Sequence, residues 1–175
     1  ATVQVYVYDR ADFSWSSVYS ASSNGTGAYQ VGGLPAGTYR VQAGNWGQGY
    51  AAEYYDGVRD VGDATDVPIG SAGHATGIDI ALEKRGSISG TITDVTNGAP
   101  LDSAWVYAYR YRPNVDEWQY AYSDASDASG AYAIENLPPD TYRLIIYRSG
   151  YLSECIHDEY DIWAAADIPL AAGQQ

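Results

Sequence analysis

The sequence predicts an all-β protein that consists of two tandem antiparallel β-sandwiches. A sixteen-residue stretch that starts at Gly27 returns at Gly130 with eight identical residues. Short runs alternate between apolar and polar residues, as strands with one buried face do. Clusters of Gly, Pro, Asn and Asp separate these runs at the spacing of a sandwich, and no run shows a sustained helical period.

The repeat extends over the whole chain with a period of about 101 residues. Trp15, for example, corresponds to Trp118. We therefore predict a first sandwich over residues 1–84 and a second over residues 85–175. The first sandwich lacks the strand that should open it and the second lacks the strand that should close it. We expect the chain to be a window from a longer array.

Six runs of the first repeat are predicted to be strands because their apolar residues alternate. In chain order they are VQVYVYD from Val3, SVYSASS from Ser17, AYQVGGL from Ala28, TYRVQAG from Thr38, TDVPI from Thr65 and GIDIALE from Gly77. The run GSISGTITD from Gly86 is predicted to be the first strand of the second repeat.

Two kinds of turn separate these strands. The segments NGTG from Asn24 and DASG from Asp127 predict tight turns, because Asn, Asp and Gly accept positive φ at low cost. In LPAGTY, Pro35 restricts φ, and Gly37 is expected to adopt a left-handed conformation. Its counterpart Asp140 tolerates that conformation less well.

The composition is globular, acidic and rich in tyrosine. The net charge is −13, and Lys84 is the only lysine, so we expect no nucleic-acid partner. The chain contains eighteen Tyr and five Trp but only one Phe and no Met. This composition favours an extracellular or cell-surface protein, and the alternative is an acidic cytosolic domain. No run is long enough for a transmembrane helix, so we expect no membrane insertion.

The turn and strand motifs together resemble a known family. Gly-x-Tyr followed by Leu-Pro-x-Gly-Thr-Tyr, with GSISGTITD before it and GIDIAL after it, is similar to the carboxypeptidase regulatory-like, or transthyretin-like, family of bacterial surface and secreted proteins. The resemblance covers both repeats, and Asp140 departs from the expected Gly. It implies small immunoglobulin-like sandwiches without a catalytic centre, used as spacers, adhesive modules or carbohydrate-binding accessory domains.

The residues themselves also argue against catalysis. His74 and His157 lie in non-equivalent loops, and Cys155 occupies the position of Tyr54 in the other repeat. No arrangement of Ser, His and Asp recurs at the same place in both repeats. We therefore predict that the chain is not an enzyme.

Two acidic loops at matching positions indicate a calcium site. Closely spaced carboxylates on a flexible loop suit Ca²⁺, which takes six to eight oxygen ligands. The alternative is a pair of solvated acidic loops. The candidate ligands in the two loops and in a turn of the second repeat are Glu53, Asp56, Asp60, Asp63, Glu154, Asp158, Asp161, Asp124 and Asp127.

An aromatic outer face is predicted on one sheet of each sandwich. Because side chains alternate along a strand, the valines of VQVYVYD should face the core and its tyrosines the outside. Rows of exposed Trp and Tyr usually contact a partner, here another protein chain or stacked sugar rings. The alternative places the aromatics in the core and the valines outside. The candidate contact residues are Tyr6, Tyr8, Trp105, Tyr107, Tyr109, Tyr111, Trp118, Tyr120 and Tyr122.

These observations predict an extracellular structural repeat protein that forms or extends a surface fibre, sheath or layer. Its partners would be copies of itself, joined end to end through the incomplete repeats, because an unpaired strand edge is normally covered. The alternative is a carbohydrate-binding accessory module of a secreted enzyme, with polysaccharide as the partner of the aromatic face.

Overall fold

The computed structural model describes residues 1–45, 47–156 and 160–175. This part of the chain divides into two compact units, unit 1 (Ala1–Glu83) and unit 2 (Lys84–Gln175). Its regular elements are all strands, and every strand pairing is antiparallel. The predicted all-β class is confirmed.

Unit 1 is built on one five-stranded sheet. Its strands are β1 (Thr2–Asp9), β2 (Ser14–Ser22), β3 (Gly37–Gly44), β4 (Glu53–Tyr54) and β5 (Val67–Ile69). The order along the sheet is β2-β1-β3-β4, and β5 also pairs with β3.

Unit 2 repeats this sheet and adds a second one. Its strands are β6 (Gly86–Thr91), β7 (Trp105–Arg112), β8 (Glu117–Ala125), β9 (Ala131–Leu137), β10 (Asp140–Tyr147), β11 (Glu154–Cys155) and β12 (Ile168–Leu170). The five-stranded sheet has the order β11-β10-β7-β8 with β12 on β10, and β6 pairs with β9.

The core of unit 2 lies between its two sheets. Val106 and Ala108 of β7 contribute from the large sheet, and Ile134 and Leu137 contribute from β9. All four side chains are at most 2% exposed. This two-layer packing is what defines a sandwich.

Two strand predictions for unit 1 are wrong. Residues 28–34, the repeat counterpart of β9, and residues 77–83 lie outside any strand. Their apolar side chains nevertheless pack against the core of unit 1. The physical reason is the missing ladder partner, because β9 pairs with β6 in unit 2 and unit 1 has no described counterpart of β6.

The left-handed residue predicted at Gly37 lies elsewhere. Gly37 begins β3, whereas the positive φ values occur four residues earlier, at Gly33 (77°) and its counterpart Asn136 (60°). Asn is one of the few residues with a side chain that adopt this region readily. Asp140 therefore needs no unusual backbone conformation.

A β-bulge at matching positions changes which side chains share a face. In unit 2, Ala108 pairs with Tyr122 and the next residue, Tyr109, pairs with Tyr120, so Ala121 is the extra residue. Tyr122 consequently packs against the core. Its predicted place on the outer face beside Trp118 and Tyr120 is wrong, because the alternation rule assumes an unbroken strand.

Candidate functional site

The outer face of each large sheet carries an arginine stacked on a tryptophan. In unit 2 the guanidinium of Arg143 lies 4.3 Å from the ring centre of Trp118, and its Nε donates to Asp167 at 2.7 Å. The same guanidinium donates to the carbonyl oxygens of Ile162 and Trp163 at 2.7 and 2.8 Å. These contacts tie the loop before β12 to the sheet, and they cover one face of Trp118.

Unit 1 repeats this arrangement. Arg40 lies 4.2 Å from the ring centre of Trp15 and donates to Asp66 at 2.8 Å. Its guanidinium also donates to the carbonyl oxygens of Val61 and Gly62. Neither arginine was among the predicted site residues, although Arg40 and Arg143 occupy the same position in the two repeats.

The tyrosine before each arginine points the other way and closes a turn. Tyr39 donates to the carbonyl of Pro35 at 2.9 Å, and Tyr142 donates to that of Pro138 at 2.8 Å. Both tyrosine rings are buried in the cores. The repeated Leu-Pro-x-x-Thr-Tyr-Arg motif therefore carries structural contacts on both faces of the sheet.

The outer face of unit 2 also bears a cluster of aromatic side chains, which we call the aromatic face: Trp105, Tyr107, Tyr109 and Tyr120. Trp105 and Tyr107 have near-parallel rings, 6.1 Å apart with 19° between the planes. Tyr120 meets Tyr107 and Tyr109 edge to face at 6.2 and 6.3 Å. Trp105 and Tyr120 are 45% and 57% exposed. Tyr111 lies beyond this cluster, where its hydroxyl donates to Asp116.

Unit 1 presents a more polar surface at the matching positions. The hydroxyl of Tyr6 lies 3.1 Å from the side-chain oxygens of Gln4 and Gln42, and its ring packs on Tyr54 at 5.6 Å. Tyr8 packs on Trp15 at 5.4 Å. Thr2, Gln4 and Ser17 stand where unit 2 has Trp105, Tyr107 and Tyr120, so the aromatic face is a property of unit 2.

The acidic loop of unit 1 is organised around an arginine. Glu53 is 8% exposed and accepts from Arg59 at 3.0 Å, and Arg59 also binds Glu83 at 2.5 Å. Burial raises the pKa of Glu53, and the positive charge of Arg59 opposes that rise. This carboxylate is therefore committed to a structural ion pair.

The other candidate calcium ligands have local backbone roles or lie apart. Asp127 accepts from the backbone N–H groups of Ser129 and Ala131, and Asp124 accepts from Ala133 at 2.7 Å. The carboxylate of Asp161 accepts a hydrogen bond from the N–H of Trp163. The backbone N–H of Asp63 donates to the carbonyl of Asp60. Asp56 has a positive φ of 69°, and Glu154 lies in β11.

No group of three or more His, Cys, Asp or Glu side chains is placed to hold a metal ion within the residues that the structure describes. Asp158 lies outside those residues. The calcium site stays a prediction.

The described residues that were considered for catalysis belong to different units. His74 is exposed in unit 1, Cys155 is buried in unit 2, and His157 lies outside the described residues. Within 1–45, 47–156 and 160–175 we find no helix with the length and apolarity that a membrane span requires.

A groove of about 290 Å³ opens on unit 2 between the end of β6 and the β10–β11 region. Its rim includes Val95 and Leu152, which are 98% and 78% exposed. The counterpart of Leu152 in unit 1 is Ala51, which is fully buried and donates its N–H to Glu83 at 2.8 Å. The segment that covers this position in unit 1 has no counterpart among the described residues of unit 2.

Antiparallel sheets in both units, with a repeated corner tyrosine and a repeated arginine–tryptophan stack, define an all-β protein whose second unit is a two-layer sandwich. A family model for the carboxypeptidase regulatory-like domain matches residues 87–174, and the chain belongs to this family, as the resemblance had indicated. The matched domain is a non-catalytic immunoglobulin-like fold. Neither the curated proteins nor the solved structures yield a match to this chain.

Proposed function

We propose that this chain is an extracellular structural repeat protein, which forms or extends a surface fibre, sheath or layer through head-to-tail association. The observation that carries the proposal is the aromatic face of unit 2. Trp and Tyr dominate the energetics of protein interfaces, and a row of them on a sheet is rarely left in water. Nothing in the family assignment requires them there, since unit 1 folds with Gln4 and Ser17 at two of the positions.

The ring geometry favours a protein partner over a sugar. A flat sugar ring stacks on an exposed aromatic face, whereas Tyr120 meets both of its neighbours edge to face, with interplanar angles of 68° and 78°. The stack of Arg143 on Trp118 also occupies one face of that ring. A surface of tilted rings with irregular height suits interdigitation with side chains of another chain.

Head-to-tail association follows from the difference between the units. A contact between unlike surfaces is heterologous, and such a contact extends into a linear series unless its rotation closes a ring. The aromatic face belongs to unit 2, so its partner surface on the next copy would lie on unit 1. A net charge of −13 opposes close packing of copies, and salt would weaken that repulsion.

A carbohydrate-binding accessory module is the second candidate. One observation favours it, because Trp105 and Tyr107 have rings only 19° from parallel and Trp105 is exposed. Two adjacent near-parallel rings could accept one or two sugar rings of a polysaccharide. The absence of enzymatic activity, the extracellular location and a role for calcium belong to the proposal in both cases.

The experiment compares the full chain with a double variant that replaces two rings of the aromatic face by polar side chains, W105Q/Y120S. We expect the association constant, from sedimentation velocity, to fall about tenfold or more, with loss of linear particles in negative-stain micrographs. Tyr160→Ser is the matched control, because Tyr160 is an aromatic residue of unit 2 that is 70% exposed outside this face. The same assay with a chelator tests calcium.

Unchanged association in W105Q/Y120S would overturn the proposal. If that variant instead lost binding to soluble polysaccharide while the wild-type chain remained monomeric, the carbohydrate-binding module would take its place.

A further inference from the structure

Two Asn-Gly pairs lie in exposed turns, one in each unit. Asn24 and Gly25 belong to the turn that follows β2, and Asn97 and Gly98 belong to the turn that follows β6. In such a pair the backbone nitrogen of the glycine can attack the side-chain carbonyl carbon of the asparagine, because glycine has no side chain to obstruct the approach. The chain therefore offers one reaction in two different environments.

The glycine nitrogen is engaged in one pair and free in the other. The N–H of Gly98 donates to the carbonyl of Asp94 at 2.7 Å. The N–H of Gly25 has no hydrogen-bond partner among the residues that the structure describes. A Cβ atom added to Gly25 would also meet no atom within 4 Å, so the surrounding space is open. Gly25 can therefore present its nitrogen without breaking a backbone hydrogen bond, whereas Gly98 cannot.

The asparagine carbonyl is also more strongly polarised in unit 1. The Oδ1 atom of Asn24 accepts from the N–H of Thr26 at 2.9 Å, from the hydroxyl of Thr26 at 2.7 Å and from the N–H of Ala28 at 3.0 Å. Within the described residues, the Oδ1 atom of Asn97 accepts from the N–H of Ala99 alone, at 2.8 Å. Attack at Cγ places negative charge on this oxygen, and donors that already point at it lower the barrier.

The turn at Asn24 is exposed for a reason that both units share. In unit 2 the counterpart residues Asp127, Ala128 and Ser129 are exposed, although β6 is paired with β9 beside them. The accessibility of Asn24 and Gly25 therefore does not depend on which strands flank the turn.

We propose that Asn24 is a site of spontaneous deamidation in the folded protein and that Asn97 is protected from it. The nitrogen of Gly25 loses its proton to hydroxide and bonds to Cγ of Asn24, while the Cγ–Nδ2 bond breaks and ammonia leaves with a proton from water. The product is a cyclic imide. Water then opens the imide, and hydrolysis at Cγ gives aspartate, whereas hydrolysis at the main-chain carbonyl carbon gives isoaspartate.

The aspartate product fits the turn, because unit 2 has Asp127 at this position. The carboxylate of Asp127 accepts from the N–H and hydroxyl of Ser129 and from the N–H of Ala131, as Asn24 accepts at the equivalent positions. The isoaspartate product adds a methylene group to the main chain and should disturb the hydrogen bond from Gly27 to the carbonyl of residue 24. Either product adds one negative charge. The reaction needs no partner, so it does not rest on the proposed association.

The test incubates the full chain at mildly alkaline pH in water enriched in heavy oxygen and follows both asparagines by peptide mapping with mass spectrometry. We expect Asn24 to react about tenfold faster than Asn97, or more. The matched variant is Gly25→Ala, which leaves the fold intact because its Cβ atom meets open space and unit 2 has Ala128 at this position. It should slow the reaction of Asn24 about tenfold or more and leave Asn97 unchanged.

Equal rates at the two asparagines of the folded chain would overturn the inference. An unreactive Asn24, or a Gly25→Ala variant that reacts as fast as the wild-type chain, would do the same. Incubation in denaturant separates structure from sequence, because we expect the two asparagines to react at similar rates once the turns are lost. A difference of the same size in denaturant would show that the local sequence sets the rates and would refute the structural account.

Discussion

Unit 1 and unit 2 carry the same turn, corner tyrosine and stacked arginine, yet they differ in the layer that covers the core. In unit 2 the segment after the turn is a strand paired with β6, whereas in unit 1 residues 28–34 pack without a ladder. The core-facing positions are alike, with Ile134 in one unit and Val31 in the other. This motif therefore specifies turns and core contacts, while strand pairing depends on a neighbouring strand.

Alanine substitutions at two equivalent glycines should give the largest difference between the units in the free energy of unfolding. Gly27 and Gly130 both have positive φ, at 86° and 77°, so Ala costs about 1–2 kcal/mol of backbone strain in either. At Gly130 the new methyl group also meets the Ile92 carbonyl, and overpacking adds about 1–3 kcal/mol. We expect Gly130→Ala to lower the free energy of unfolding more than Gly27→Ala does, as measured by denaturant titration.

Equal losses of unfolding free energy in the two variants would contradict the tighter packing around Gly130.

A smaller effect concerns the acid stability of the two turns. Asn24 and Asp127 are equivalent, and each side-chain oxygen accepts from an N–H and a hydroxyl two residues later. Hydrogen bonds from Ser129 and Ala131 hold the pKa of Asp127 below its ordinary value of 3.8. Asp127 therefore contributes stability above that value and loses it as the pH falls through the lowered pKa.

We expect Asp127→Asn to make the stability of the chain less dependent on pH below about 4. Asn24→Asp should introduce the same dependence into unit 1. Asp94 retains its own lowered pKa, through hydrogen bonds from Thr96 and Tyr151, so Asp127→Asn should reduce the acid dependence without abolishing it. Acid titrations of melting temperature would check both variants, and parallel curves for all three proteins would contradict this assignment.

The sequence predicted the elements whose partners lie within the same repeat. The alternating valines of β1 and the repeated Gly-x-Tyr and Tyr-Arg motifs were sufficient to predict the all-β class and the family. Turn residues and core-facing residues can be recognised within a short stretch of sequence. The outward direction of Trp105 and Tyr107 on β7 also follows from simple alternation, since Val106 between them is buried.

The features that were not predicted depend on interactions that the sequence of a single strand does not indicate. The bulge at Ala121 reverses the face of Tyr122, and a bulge needs two strands to be defined. Glu53 forms an ion pair with Arg59 that was not predicted, although the two residues are only six positions apart. The left-handed position is Gly33 and not Gly37, because the segment GGLPAG contains three glycines that can adopt positive φ.

Hydrogen exchange of the chain alone tests most directly whether the second layer is paired in unit 2 and open in unit 1. Backbone amides in a ladder exchange through opening of the sheet, while unpaired amides near the surface exchange quickly. We expect slow exchange across Ala131–Leu137 and fast exchange across residues 28–34 in the same sample. Similar protection of the two segments would contradict this difference in pairing between the units.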